Sequence, residues 1–176
     1  MALRLGHGAT LVLGGARSGK SRFAEQLIEE SGLARLYLAT GEAGDDEMRE
    51  RIAAHKRRRG SGWRAIEEPL ALAEALRRED RPAQAMLVDC LTLWLSNLLQ
   101  AGRDVDAATE ELIGAIAIMH SPVVFVANEV GLCIVPDNVL ARRFRDEAGR
   151  LNQKIAEAAQ TVHFVAAGLP LTLKQE

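Results

Sequence analysis

The sequence predicts an α/β fold, a mostly parallel sheet with helices on both faces. Three observations lead there. The runs at residues 10–13 (TLVL), 85–89 (AMLVD) and 123–127 (VVFVA) are apolar almost throughout rather than alternating, the pattern of strands buried on both sides. Longer stretches of helical periodicity separate them, the order that gives parallel strands joined by crossovers. The first run stops abruptly on paired glycines, Gly14 and Gly15, ahead of a helix-forming segment.

Each element has its own warrant. Residues 10–13 form the first strand, and residues 18–30 a helix with Phe23, Leu27 and Ile28 on one face. Residues 35–39 (RLYLA) are a second strand. Residues 45–59 read as a charged helix that Asp45 or Asp46 begins. A short strand at 63–66 precedes a helix at 69–78, with Pro69 in its first turn. The strand at 85–89 leads into helices at 91–100 and 106–119. The first of these is apolar nearly all round (Leu91, Leu93, Trp94, Leu95, Leu98, Leu99), which implies deep burial or a subunit contact. After the strand at 123–127, residues 138–159 make a long amphipathic helix whose apolar face is Leu140, Phe144, Ala148, Leu151 and Ile155. Arg143 and Glu147 are spaced on it for an ion pair. Residues 161–167 are a last core strand and 169–173 an edge strand. With no repeat or linker, residues 1–176 read as one domain, with 1–8 a flexible leader.

Composition narrows the function. A chain of 176 residues, 48% hydrophobic and 26% charged, is long enough to bury a core. The formal net charge of -2 provides no global field toward nucleic acid or an anionic membrane. With 4 Phe, 2 Trp and 1 Tyr there is no aromatic stacking platform. No apolar run approaches the roughly 20 residues of a membrane span, and the N-terminus lacks the apolar core of a signal peptide. The two cysteines, Cys90 and Cys133, make neither a disulfide framework nor a zinc site, so a reduced, cytoplasmic setting is expected. His7 falls in the leader, His120 just before a strand, and His163 inside an apolar strand as a satisfied core residue.

The strongest local signal is Gly14-Gly15-Ala16-Arg17-Ser18-Gly19-Lys20-Ser21, which matches G-x-x-x-x-G-K-[ST] without a gap. Glycines let the backbone wrap closely enough for several N–H groups to converge on one phosphate. The following helix adds its positive N-terminal end. Lys20 reaches the β- and γ-phosphates, and Ser21 places its hydroxyl on Mg²⁺. A P-loop needs a carboxylate for the metal shell, and Asp89, ending a core strand, is the candidate; its competing reading is a cap for the helix that follows.

Two further segments carry chemistry. Residues 49–59 (RERIAAHKRRR) set His55 among cations. Charge runs are usually solvated faces, but nearby cations also disfavour protonated imidazole and keep it nucleophilic toward phosphorus. Asn128-Glu129-Val130-Gly131 follows the strand at 123–127 and so lies near the ligand crevice of a parallel sheet. There Glu129 orients a nucleophile or assists the metal, or else belongs to a polar loop with a glycine turn. Arg142, Arg143 and Arg145 are candidates for substrate phosphate.

Taken in order, these pieces resemble one family, the bifunctional adenosylcobinamide kinase/adenosylcobinamide-phosphate guanylyltransferases of cobalamin synthesis. The resemblance is carried by the P-loop, by Asp45-Asp46-Glu47-Met48 with His55-Lys56, by Asp89-Cys90-Leu91-Thr92, and by Asn128-Glu129-Val130-Gly131. The last continues through Ile134-Val135-Pro136, Leu140-Ala141-Arg142, Phe144-Arg145-Asp146 and Ala148-Gly149-Arg150-Leu151-Asn152-Gln153. It implies a RecA-like P-loop NTPase fold, ATP and GTP as co-substrates with Mg²⁺, and adenosylcobinamide and its phosphate as acceptors. It also implies a homotrimer, with no nucleic acid and no membrane span. His55, which aligns with the family's guanylylated histidine, joins Lys20 and Glu129 as the catalytic candidates. Lys56, Glu67 and Asp89 join residues 14–21 as nucleotide-binding candidates, and Ser21 and Asp89 are the metal candidates. Ala54 stands where some relatives have a second histidine, Asp89 where some have glutamate, and Cys133 where a glycine is expected. No N-K-x-D guanine reader is present. Two other readings predict different behaviour. A P-loop small-molecule kinase without guanylyl transfer predicts no covalent nucleotide. A RecA-like nucleic-acid-dependent ATPase predicts salt-sensitive nucleic-acid binding.

Overall fold

A computed structural model describes residues 5–41 and 60–176. The expected helix at 45–59, with His55 and Lys56, lies outside the described residues, as do residues 1–4. The described elements are β1 (Ala9–Gly14), α1 (Lys20–Glu30), β2 (Ala34–Ala39), β3 (Trp63–Glu67), α2 (Leu72–Glu79), β4 (Gln84–Asp89), α3 (Leu91–Gln100), α4 (Val105–Ile116), β5 (Val123–Asn128), α5 (Val139–Ala158), β6 (Thr161–Ala166) and β7 (Leu169–Gln175). They build one seven-stranded sheet in the order β3-β2-β4-β5-β1-β6-β7. All neighbours are parallel except β6 and β7, which form an antiparallel hairpin.

The unbroken apolar strands are explained by two cores. Leu11, Leu36, Leu38, Met86, Val88, Phe125 and Ala127 face the helices α2 to α5. The intervening Val12, Tyr37, Ala85, Leu87, Val124 and Val126 face α1. Side chains still alternate at period two, but both destinations are apolar. The apolar girdle of α3 is met by burial within the chain: Leu91, Trp94, Leu95 and Leu98 are all buried. No helix among the described residues is long and apolar enough to cross a membrane.

Three expectations need correction. The helix expected at 69–78 begins at Leu72. The carbonyls of Pro69 and Leu70 are taken by Asn97 Nδ2 and Trp94 Nε1 of α3, and the Glu68 carboxylate accepts the N–H groups of Leu70 and Ala71, so these residues form a held turn instead. The helix expected at 106–119 spans Val105–Ile116, started by Asp104, whose side chain accepts from the Ala107 N–H at 3.0 Å. It closes in tight i to i−3 bonds, Ile118 to Ala115 and Met119 to Ile116. On α5, Ala148, Leu151 and Ile155 are buried as expected, but Leu140 is 69% exposed. A 20-residue helix is roughly 30 Å long, against about 20 Å for a six-residue strand, so its first turn overhangs the core.

Candidate functional site

The site grows from the C-terminal ends of the parallel strands. β1 stops at Gly14 and α1 starts at Lys20, so residues 15–19 must reverse the chain in one tight loop. Two glycines are dictated by space and torsion. A Cβ on Gly14 would lie 2.5 Å from the Val165 carbonyl oxygen, and Gly19 adopts φ 98° with the backbone of Gly168 against it. Arg17 also takes a positive φ, 55°. Among the described residues no side chain caps α1, and no acidic residue sits in its first turn, so its N-terminal N–H groups face outward as donors suited to an anion. Lys20 is buried and its Nζ donates to the Gly15 carbonyl at 3.0 Å, which curls the lysine over the loop it serves.

Asp89 ends β4, two strands from Gly14 in the sheet order. Among the described residues its buried Oδ2 has no hydrogen-bond partner, and neither has the buried Ser18 hydroxyl. Buried polar atoms are nearly always paired, so an orphaned carboxylate oxygen at the strand ends is a fit for a cation. The cap residue of α3 is Cys90 rather than Asp89. Burial, with the neighbouring Asp89 charge, pushes the Cys90 thiol up to about 11 against the opposing N–H groups of Leu93 and Thr92 and the Lys20 charge. Mg²⁺ asks for one or two protein oxygens and otherwise for phosphate and water, and Ser21 with Asp89 offers such a set.

Glu129 is tied in by its backbone, which donates to the Gly14 carbonyl at 3.1 Å. Its carboxylate turns back to accept the N–H of Gly131, the polar-turn reading. Glu67 ends β3. Its register partner on β2 is Ala39, itself opposite Asp89, so Glu67 shares the catalytic edge but stands four strand spacings from Gly14, roughly 19 Å. Of the three candidate arginines on α5, Arg143 is exposed and the other two are occupied locally. Arg142 donates to the Pro136 and Asp137 carbonyls, Arg145 pairs with Asp146, and Glu147 meets Arg150 rather than Arg143. His163 is a core residue as expected, 3% exposed, 5.1 Å from the Phe23 ring and 3.2 Å from the Thr172 hydroxyl, and burial lowers its pKa.

Sequence reading missed the β6–β7 turn as part of the site. The Gly168 N–H donates to the Ser18 carbonyl at 2.8 Å, so the hairpin braces the P-loop. The glycine directly after an apolar strand was the available signal. A cavity of about 630 Å³ opens at the opposite sheet edge, among His7, Leu33, Gln84 and His120, and no residue of the P-loop lines it.

With this geometry in place, comparison with known proteins is decisive. Residues 10–173 match the family model described as cobinamide kinase/cobinamide phosphate guanyltransferase. The chain belongs to this family. It is thereby a cobinamide kinase and cobinamide phosphate guanylyltransferase of cobalamin biosynthesis. Among its relatives is a bifunctional adenosylcobalamin biosynthesis protein CobP of Pseudomonas aeruginosa, 52% identical over 94% of this chain and 97% of the relative. The CobU proteins of Escherichia coli and Salmonella typhimurium, named in the same words, are each 42% identical over 93% of this chain and 98% of theirs. Solved structures with the same fold include the flagellar accessory protein FlaH of Methanocaldococcus jannaschii (TM-score 0.53, 14% identity, 96% of this chain and 79% of that one). A type III secretion ATPase also matches (TM-score 0.56, 13% identity, 94% and 56%). At such identities they establish the P-loop ATPase fold of this cobinamide kinase/guanylyltransferase and nothing further.

Proposed function

We propose that the enzyme uses one phosphate grip for two transfers on adenosylcobinamide. In the first, the aminopropanol hydroxyl oxygen attacks the γ-phosphorus of ATP or GTP. The bond to the β-phosphate oxygen breaks, the nucleoside diphosphate leaves, and the hydroxyl proton is released. In the second, an imidazole nitrogen of His55 attacks the α-phosphorus of GTP and pyrophosphate departs. An oxygen of adenosylcobinamide phosphate then displaces His55, giving adenosylcobinamide-GDP and the free histidine.

The chain's own groups have distinct tasks. The P-loop N–H groups and Lys20 hold the triphosphate and offset charge that develops on the transferring group. Ser21 and Asp89 would hold Mg²⁺, which when bound supplies charge neutralisation between phosphates. Glu129, fixed beside Gly14, positions the acceptor, while Lys56 and Glu67 contact nucleotide in the second transfer. A homotrimer working in the cytoplasm completes the proposal.

The supporting observation is the orphaned Asp89 Oδ2 at the same sheet edge as a lysine already folded over its P-loop. The test is intact mass after incubation with GTP and Mg²⁺, with His55→Ala alongside. One guanylyl group is expected on the wild type and none on the variant. An unmodified wild type that still binds GTP, or an equal adduct on His55→Ala, removes the covalent step from the proposal.

A further inference from the structure

Asp89 carries an oxygen with no hydrogen-bond partner among the described residues, while the backbone around it is held by a specific device. The device is Thr40, fully buried just beyond β2. The Thr40 N–H donates to the Asp89 carbonyl at 3.4 Å. Its hydroxyl accepts the Cys90 N–H at 2.8 Å and donates to the Cys90 carbonyl at 2.7 Å. One side chain thus bonds both backbone polar groups of the residue that follows Asp89, at the junction where the strand ladder ends and the Cys90 carbonyl also accepts the first bond of α3, from the Trp94 N–H at 3.1 Å. Thr40 is itself anchored, because Asn97 of α3 donates from Nδ2 to the Thr40 carbonyl at 2.7 Å and to the Pro69 carbonyl at 3.1 Å.

This arrangement exceeds what a strand end needs. Asn128, which ends β5, is held by single bonds, its N–H to the Thr92 hydroxyl and its carbonyl to Asn152. Around Asp89 these bonds fall on the backbone, and the buried Oδ2 keeps no partner among the described residues. We infer that Thr40, anchored by Asn97, is a positioning residue that fixes the Asp89 carboxylate for the metal of the metal–nucleotide complex. The inference rests on the metal role of Asp89 proposed above. Outer partners that orient a metal-binding side chain commonly change metal affinity about 10–100-fold when removed.

The experiment uses Mn²⁺ as the probe, with its binding followed by electron paramagnetic resonance in the presence of a non-hydrolysable GTP analogue. Wild type, Thr40→Val, Thr40→Ser, Asn97→Leu and Asp89→Asn are compared. Thr40→Val keeps the shape and loses the hydroxyl, so it should weaken Mn²⁺ binding about tenfold, and Thr40→Ser should restore it. Asn97→Leu should fall between them, and it tests the same anchor should Thr40→Val fail to fold. Affinity for the metal-free analogue should stay within about twofold, since the P-loop is untouched. If Asp89→Asn weakens Mn²⁺ binding but neither Thr40→Val nor Asn97→Leu does, Thr40 is only structural and the inference is overturned. Equal losses of metal-free and metal-bound nucleotide would also overturn it. If Asp89→Asn leaves Mn²⁺ binding unchanged, it is the metal role of Asp89 that fails.

Discussion

The backbone of Gly168 donates to the carbonyl of Ser18 at 2.8 Å, so the turn of a C-terminal hairpin is part of the wall of the P-loop. That turn has two central residues, Ala167 and Gly168, at φ 51° and 78°. Two-residue hairpins favour this mirror-image turn because its twist matches the strands. Alanine pays about 1–2 kcal/mol for a left-handed torsion, and asparagine pays less. Ala167→Asn should therefore stabilise the protein by about 0.5–1 kcal/mol, seen as a rise of about 1–4 °C in the thermal midpoint. The Gly168 bond should survive, leaving nucleotide affinity unchanged. A lower midpoint would show that the turn is held by something other than its torsions.

Lys20 separates the grip from the chemistry. Its Nζ rests on the Gly15 carbonyl in this structure and is available to exchange that contact for phosphate oxygens. Lys20→Met keeps the aliphatic stem and removes the charge. Both transfers should slow together by about 10²–10³-fold, the usual cost of removing one preorganised charge-stabilising donor. Rates of cobinamide phosphorylation and of guanylyl transfer, measured separately, check this. A large loss in one with the other intact would mean the two steps do not share the P-loop.

Much of this site was legible in the sequence, because its parts are local. A P-loop is eight consecutive residues, and Asp89 is marked by ending an apolar strand. Thr40 was invisible for the opposite reason, since its partner Cys90 lies 50 residues away and nothing near Thr40 announces the contact. Pro69 misled in a related way. Locally it is a good first-turn residue, but side chains of α3 claim the carbonyls of Pro69 and Leu70 and delay the helix to Leu72. Periodicity likewise placed Leu140 on the inner face of α5 correctly in angle, while the length of the helix carries it past the core.

The C-terminal end of α5 depends on a lysine from the edge strand. Lys174 Nζ donates to the carbonyls of Ala156, Glu157 and Ala159 at 3.3, 3.0 and 2.7 Å. These are groups a helix leaves unsatisfied at its end, and a cation there also complements the helix dipole. Lys174→Met should cost about 1–2 kcal/mol, measured by urea unfolding. The hairpin itself should persist, because its ladder with β6 does not use this side chain. A variant as stable as wild type would show that water satisfies these carbonyls equally well.

Asp80 gives the fold an acid-sensitive latch. It follows α2, and its carboxylate accepts the Ser121 N–H at 2.8 Å and the His120 N–H at 3.0 Å, joining that helix to the entrance of β5. Burial alone would raise its pKa, but these N–H donors outweigh it, and the value falls from 3.8 to about 2. The folded-state value is depressed, so the folded protein holds this proton less readily than the unfolded chain. The stabilisation is complete above 3.8 and is lost as the pH falls toward about 2. Asp80→Asn keeps one acceptor oxygen and no titration. It should be less stable than wild type at neutral pH, and the gap should narrow through that acid window as the wild-type carboxyl protonates. Urea midpoints of the two proteins over a pH series read this directly. A gap that stays constant from neutral pH down to the acid limit would mean that Asp80 contributes shape to the α2–β5 junction and no charge.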